Sequence, residues 1–322
     1  MNRRAGLLVA VLLGAGVLPA QTPPPAPPAS RPMLWRIDRP RPAFVLGTIH
    51  MADKRVAVLP APVVTAVEQS DAVYTEIGFS EADVNTAFRH QLLPPGEKLL
   101  DKLPEAVATT LQDFLRRKGQ AVSSVQRLKP WAAWMRVTSV ESARHAVGPR
   151  IMDLELLQLA RDEDKRTDCL ETIDEQMGLF DQIPGPEQVA LLQSAMAMVD
   201  RMHRAGEFVV EHQLATYLRG DEQENLRWFR EHLGPPPEHK ELIDAMTRRM
   251  LTERNERMAA RMGKALRERP NEAILFAVGA YHLGGERGVL ALLRQQGQRL
   301  ERIEAVPPAS RPVRSADEPF HR

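Results

Sequence analysis

Two short motifs place a histidine directly after a predicted buried strand. The chain contains Gly47-Thr48-Ile49-His50 near its start and Gly279-Ala280-Tyr281-His282 near its end, and each motif follows an apolar run. Short apolar runs bounded by glycine predict buried strands, and ligands of α/β proteins bind beyond the strand ends. A third run, residues 72–75, ends at Glu76. Two imidazoles and a carboxylate are donor types that hold divalent metals.

A structural interpretation competes with the functional one. The string G-x-x-H is common, and a histidine that closes a strand often only forms a hydrogen bond. Glu76 has the alternative of being a surface acid after an edge strand, although its apolar neighbours Val73 and Ile77 make an unpaired carboxylate costly. If the three side chains hold a metal, water ionises near pH 7 there instead of at ~15.7, which serves hydrolysis of amides or esters.

A glycine-rich turn, residues 283–288, follows the second motif and leads into a predicted helix. Exposed amides at a helix N-terminus attract anions and can stabilise an oxyanion. Within this turn, Glu286 is either a hydrogen-bonding partner of His282 or an acid that caps the helix, and capping is slightly favoured.

The order of predicted elements defines the fold class. Strands are predicted at both ends of the chain, and the region of about 81–268 is mainly helical. We therefore expect an α/β (α+β) fold with a central β-sheet built from the N- and C-terminal segments and a large inserted helical block. The predicted strands begin at Leu34 and then cover residues 43–46, 72–77, 166–170, 273–278 and 298–303. The main predicted helices cover residues 60–70, 106–118, 130–144, 153–161, 186–204, 208–218, 224–233, 239–268 and 288–296.

The N-terminus has the pattern of a cleaved export signal over residues 1–20. The segment Asn2-Arg3-Arg4, with two basic residues, precedes an apolar stretch, and residues 18–20 end it before Gln21. The stretch is shorter than the ~20 residues that span a bilayer. We expect a periplasmic or secreted protein without a transmembrane anchor after signal cleavage. The predicted organisation is then a proline-rich linker over 21–33, one domain over 34–304 and a disordered tail over 305–322.

Composition excludes several function classes. The formal net charge of +1 becomes −1 when residues 1–20, with two arginines and no acid, are removed, so no electrostatic argument favours nucleic acid. A single cysteine, Cys169, rules out an intrachain disulfide and a thiolate zinc cluster. The sequence also lacks H-E-x-x-H, G-x-S-x-G and the P-loop pattern.

In several phrases the chain resembles the TraB/GumN family, which is related to the TIKI proteins. The phrases that carry the resemblance are 44–50, Leu59-Pro60, Thr75-Glu76, 128–132, 170–172 with Gln176, Arg254-Asn255 and 277–288. The resemblance implies a metal-dependent protease in which His50, Glu76 and His282 hold a divalent ion, Mn, Co or Zn. It also implies catalytic roles for Glu76, Arg254 and Glu286.

Two further residues keep alternative roles under this resemblance. Asp153 is either a fourth metal ligand or the N-cap of a helix, and the cap is favoured because aspartate caps helices well. Arg254 either enters the cleft to hold a carboxylate or oxyanion, or forms an ordinary ion pair with Glu253 or Glu256. No role is assigned to Glu171 or Gln176.

Three functional hypotheses follow. The first is an exported, metal-dependent hydrolase that cleaves a peptide or protein substrate with activated water. The second is a non-catalytic periplasmic protein that binds a peptide or signal molecule. The third resembles the erythromycin esterases, with histidine and glutamate as general acid and base and no metal. The sequence does not indicate an oligomeric state.

Overall fold

The computed structural model describes residues 31–140, 151–232 and 240–304. It contains a mixed six-stranded sheet surrounded by helices, as the sequence predicted. The strands are β1 (Leu34–Ile37), β2 (Ala43–Thr48), β3 (Ala72–Thr75), β4 (Arg166–Cys169), β5 (Ile274–Gly279) and β6 (Leu300–Arg302). The predicted signal peptide (1–20), the linker up to residue 30 and the tail (305–322) lie outside the described residues and stay predictions.

The strand order brings the two ends of the chain together. In the sheet order β4-β3-β5-β2-β1-β6, the first four strands are parallel, β1 is antiparallel to β2, and β6 is antiparallel to β1. Strands β2 and β5 are paired so that Thr48 lies opposite Gly279. Both G-x-x-H motifs therefore leave adjacent strands at the same edge of the sheet, and β3 on the other side of β5 delivers Glu76 there.

Continuous apolar sequence explains why β2, β3 and β5 lie at the centre of the sheet. Every residue of β2, β3 and β5 is buried, which is typical of parallel strands covered by helices on both faces. Helices α2 (Ala61–Glu68) and α6 (Met152–Asp162) share this core, as do α12 (Glu253–Glu268) and α13 (Val289–Gln295). Such packing fixes the strand ends that carry the candidate site.

The inserted block is helical, as expected, apart from the short edge strand β4. Its helices include α4 (Glu105–Arg117), α5 (Pro130–Thr138), α7 (Ile173–Asp181) and α8 (Gly185–Arg204), and a second hydrophobic core lies between α4, α5 and α8. The other α-helices are α1 (Lys54–Ala57), α3 (Glu81–Gln91), α9 (Val209–Leu218), α10 (Glu222–His232) and α11 (Lys240–Thr247). Among the described residues, no helix combines the length and apolar character needed to cross a membrane.

The structure corrects two predicted helices. The helix predicted over 130–144 ends at Thr138 as α5, and residues 141–144 lie outside the described residues. The helix predicted over 239–268 is interrupted by a π-helical turn, Arg248–Thr252, between α11 and α12. Charged residues at helical spacing run through this turn, so the sequence pattern did not reveal the interruption.

Replacing Phe276 tests the buried centre of the sheet. Phe276 is fully buried on β5, and we expect Phe276→Ala to lower the free energy of unfolding by about 3–5 kcal/mol, because it creates a cavity in a packed core. Urea denaturation measures this change. Phe88→Ala is the matched control, since Phe88 is 39% exposed on α3. Equal losses in the two variants would contradict the assigned position of β5.

Candidate histidine and carboxylate site

His50 and His282 converge on one oxygen of Glu76. The Nε2 atom of His50 lies 3.9 Å from Glu76 Oε2, and Nε2 of His282 lies 3.8 Å from the same oxygen. Gly279 lies between them, since a Cβ added there would come within 3.3 Å of Glu76 Oε2 and 3.7 Å of His50 Nε2. The three candidate side chains therefore share one site at the edge of the sheet, beside a glycine that leaves room for them.

Glu76 is buried and accepts hydrogen bonds at both carboxylate oxygens. The backbone N–H of Gly279 donates to Oε2 at 2.9 Å. The side-chain amide of Gln176, on α7, donates to Oε1 at 2.7 Å, and the guanidinium of Arg254 donates to the same oxygen. This environment is that of a partnered buried carboxylate and not of a surface acid.

Asp153 fixes the orientation of His50. One oxygen of Asp153 accepts a hydrogen bond from His50 Nδ1 at 2.8 Å, and the other accepts the hydroxyl of Thr48 at 3.0 Å. A carboxylate acceptor requires the proton on Nδ1, which directs Nε2 of His50 toward Glu76. The predicted helix cap is wrong, because the N-cap of α6 is Ile151 and the fully buried Asp153 lies inside the first turn.

Asn255 has the corresponding role for His282. Its amide nitrogen donates to the backbone carbonyl of Arg287 at 2.8 Å, which leaves its oxygen to accept from His282 Nδ1 at 2.6 Å. The proton of His282 is therefore held on Nδ1, and Nε2 faces Glu76 as an acceptor. Both imidazoles present the same nitrogen to the site, but one partner is an anion and the other is a neutral amide.

This difference changes the charge of the two rings. Partial desolvation by the surrounding protein opposes protonation of His50, but the Asp153 carboxylate outweighs this effect and raises the pKa of His50 to about 9. Burial and the nearby Arg254 guanidinium lower the pKa of His282 to about 3. Burial also opposes ionisation of Glu76, yet Arg254 and the histidines hold the pKa of that carboxyl far below its usual range.

Arg254 reaches the site from the first turn of α12. Its Nε donates to Glu171 Oε2 at 2.9 Å, so it bridges Glu76 and Glu171. Arg257 donates to the other oxygen of Glu171 at 2.8 Å. The structure thus places Arg254 on cleft carboxylates and not on the adjacent acids of its own helix, of which Glu253 pairs with Arg248 and Glu256 with Arg287.

Glu286 makes neither of the contacts predicted for it. Among the described residues, His282 Nδ1 is paired with Asn255, and the N-cap of α13 is Gly288 without a side-chain cap. Glu286 is exposed in the glycine-rich turn. Its position leaves the predicted catalytic role without a supporting contact.

The residue types fit a divalent metal. The donor set comprises two imidazole Nε2 atoms with fixed tautomers and one carboxylate oxygen. Ligands at ~2.1 Å from one tetrahedral ion lie about 3.4 Å apart, slightly closer than the 3.8 and 3.9 Å found here. In the part of the chain that the structure describes, no group of three His, Cys, Asp or Glu residues already has the spacing of a closed metal cluster.

The sheet and the site together define the class of protein to which this chain belongs. A mixed sheet whose parallel strands end in two histidines directed at one buried carboxylate defines an α/β protein with a histidine and carboxylate centre. The chain belongs to the TraB/PrgY/gumN family, whose sequence model matches residues 33–302. This membership confirms the resemblance found in the sequence.

Individual relatives are similar over most of this chain. Metalloprotease TIKI1 of Danio rerio is 28% identical over 88% of this chain and 66% of its own length. Metalloprotease TIKI1 of Homo sapiens is 27% identical over 87% of this chain and 63% of its own length. Uncharacterized protein YbaP of Shigella flexneri is 25% identical over 79% of this chain and 88% of its own length. The chain thus spans about two thirds of the TIKI1 relatives.

The pKa values of the two histidines are expected to differ from the ordinary value of 6.5 in opposite directions. In metal-free protein, His50 should stay protonated up to about pH 9, and His282 should stay neutral down to about pH 3. Asp153→Asn should lower the pKa of His50, because it removes the neighbouring negative charge. Nitrogen-15 NMR of labelled histidine measures both values. Titration of both rings near pH 6.5 would contradict the described contacts.

Proposed function

We propose that this protein is an exported metal-dependent hydrolase that cleaves peptide bonds, with the metal held by His50, Glu76 and His282. The observation that supports it best is the convergence of both Nε2 atoms on Glu76 Oε2, with Asp153 and Asn255 fixing the rings behind them. The names of the TIKI relatives support metal-dependent proteolysis and a peptide or protein substrate. Export depends on the signal predicted at residues 1–20.

Each residue has a defined task in this proposal. When bound, a divalent ion supplies a Lewis acid that polarises a carbonyl and lowers the pKa of water. Glu76 is kept ionised by Arg254, so its carboxylate is available as a metal ligand. Asp153 and Asn255 hold the rings and disfavour the wrong tautomer. Glu286 stays a prediction as a catalytic group, and so does the choice among Mn, Co and Zn.

Removal of either histidine should abolish both metal binding and hydrolysis. We expect His50→Ala and His282→Ala to weaken metal affinity at least 100-fold, because each removes one of the three proposed ligands. Elemental analysis after dialysis measures bound metal, and chromatography of a peptide library measures cleavage. His212→Ala is the control, since His212 lies exposed on α9. Full metal occupancy in a variant that carries both His50→Ala and His282→Ala would contradict the proposed ligands.

A second candidate, a metal-independent hydrolase, is favoured by the pairing of His50 with Asp153. The His50 side chain is 42% exposed and its Nδ1 lies 2.8 Å from the Asp153 carboxylate, as in a general acid–base pair. Peptide cleavage that survives dialysis against a chelator would select this candidate. Peptide capture without any products would instead select the binding protein.

The conservative replacement Glu76→Gln tests whether Glu76 is a metal ligand. It retains the size of the side chain but removes the charge that faces Arg254 and both histidines. Under the metal proposal we expect loss of bound metal together with a fall in the rate of cleavage of at least 100-fold. A variant that keeps its metal but loses activity would assign Glu76 to proton transfer instead of metal binding.

A further inference from the structure

Glu171, two residues beyond the end of β4, is a buried carboxylate to which the proposed function gives no task. It is 1% exposed, and two arginines donate to it: Arg254 Nε to Oε2 at 2.9 Å and Arg257 Nη2 to Oε1 at 2.8 Å. These partners offset the cost of burying its charge. Glu171 is not among the proposed metal ligands, so any effect that it has on them passes through a neighbour.

Two connections join Glu171 to Glu76. The backbone N–H of Glu171 donates to the Glu76 carbonyl at 2.8 Å, which extends the parallel pairing of β3 and β4 beyond the strand ends. The second connection runs through Arg254, whose Nη2 lies 2.8 Å from Glu171 Oε2 and also donates to Glu76 Oε1. Because Nε and Nη2 of Arg254 both lie against the same oxygen of Glu171, this contact fixes the guanidinium beside Glu76.

The contacts of Glu76 divide between its two oxygens. Oε1 accepts hydrogen bonds from Arg254 and from the side chain of Gln176, which lies on the helix that follows Glu171. Oε2 accepts from the Gly279 N–H and faces both histidines. With two donors on Oε1, the carboxylate presents its other oxygen, in a fixed orientation, to the site between the imidazoles.

We propose that Glu171 is a positioning residue for Glu76. By holding the Arg254 guanidinium on Oε1, Glu171 fixes the carboxylate so that Oε2 faces the two histidines. The consequence for metal binding rests on the proposed function, whereas the effect on the position of Glu76 holds in metal-free protein. Groups that orient metal ligands typically change metal affinity roughly 10- to 100-fold when they are removed.

Nuclear magnetic resonance of metal-free protein tests the position of Glu76. The backbone amide of Gly279 and the side-chain amide of Gln176 both donate to this carboxylate, so their signals report on its position. Glu171→Gln keeps the size of the side chain but has one acceptor oxygen for two arginines. We expect both reporter signals to shift by more than their line widths in this variant.

A double-mutant cycle separates positioning from a general structural effect. If Glu171 acts through Arg254, the shifts caused by Glu171→Gln should disappear when Arg254 is already replaced by Gln. Circular dichroism melting verifies that each variant is folded. Glu171→Asp and Arg254→Lys, which keep the charges, replace any variant that does not fold, because both alter the reach or the fork geometry of this pair.

Glu272→Gln is the matched control. Glu272 also accepts from two arginines, Arg166 at 2.7 Å and Arg269 at 3.1 Å. It precedes β5, whereas Gly279 ends that strand, so Glu272 lies at the opposite end of β5 from the candidate site. Its replacement should leave both reporter signals unchanged.

Metal affinity gives a second measurement. Calorimetric titration with Co²⁺ should show about tenfold weaker binding in Glu171→Gln than in wild type, because the carboxylate is no longer held in place. In the Arg254→Gln background, the same replacement should change the affinity little.

Failure of this proposal can be distinguished from failure of the proposed function. The proposal is overturned if the reporter signals stay in place in Glu171→Gln, or if they move equally with and without Arg254. It is also overturned if wild-type protein binds Co²⁺ and Glu171→Gln binds it equally well. If wild-type protein binds no Co²⁺ while the signals still depend on Glu171 through Arg254, the positioning role is supported and the metal site is contradicted.

Discussion

The negative charge of Glu76 determines which groups must pack around this buried carboxylate. A carboxylate buried at the end of a central strand is costly unless hydrogen bonds and an opposite charge surround it. The structure supplies them from three directions: the backbone of Gly279 at the end of β5, Gln176 from α7 and Arg254 from α12. The sheet and the inserted helices must therefore pack together for Glu76 to be stable as an anion.

The arginines that balance the charge of Glu76 and its neighbours also contact groups farther from the site. Arg254 contacts two buried carboxylates, Glu76 and Glu171, and Arg257 supplies a second positive charge to Glu171. Arg261 continues the same side of α12 and donates to the carbonyl of Leu170 and to Glu175. These arginines fix the segment between β4 and α7. Because α7 carries Gln176, the geometry of Glu76 depends on contacts well outside the candidate site.

The sequence predicted those parts of the fold that depend on local pattern. Apolar runs bounded by glycine identified β2 and β5, and the placement of His50, Glu76 and His282 followed from where parallel strands end. The partners of these residues could not be predicted in the same way. Asp153 was assigned to a helix cap because cap preference is local, whereas its real contact joins residues 103 positions apart. The pairing of Asn255 with His282 also required knowledge of how α12 packs.

The π-helical turn before α12 makes the orientation of α12 independent of the helix that precedes it, α11. A π turn holds one residue more than an α-helical turn, so it offsets the faces of the helices before and after it by about 100°. The phase of α12 is then set by its own contacts with the sheet and not by α11. Substitutions in α11 can alter its packing without rotating Arg254 and Asn255 away from the sheet, whereas loss of one residue from the turn would restore the phase of a continuous helix and misdirect both.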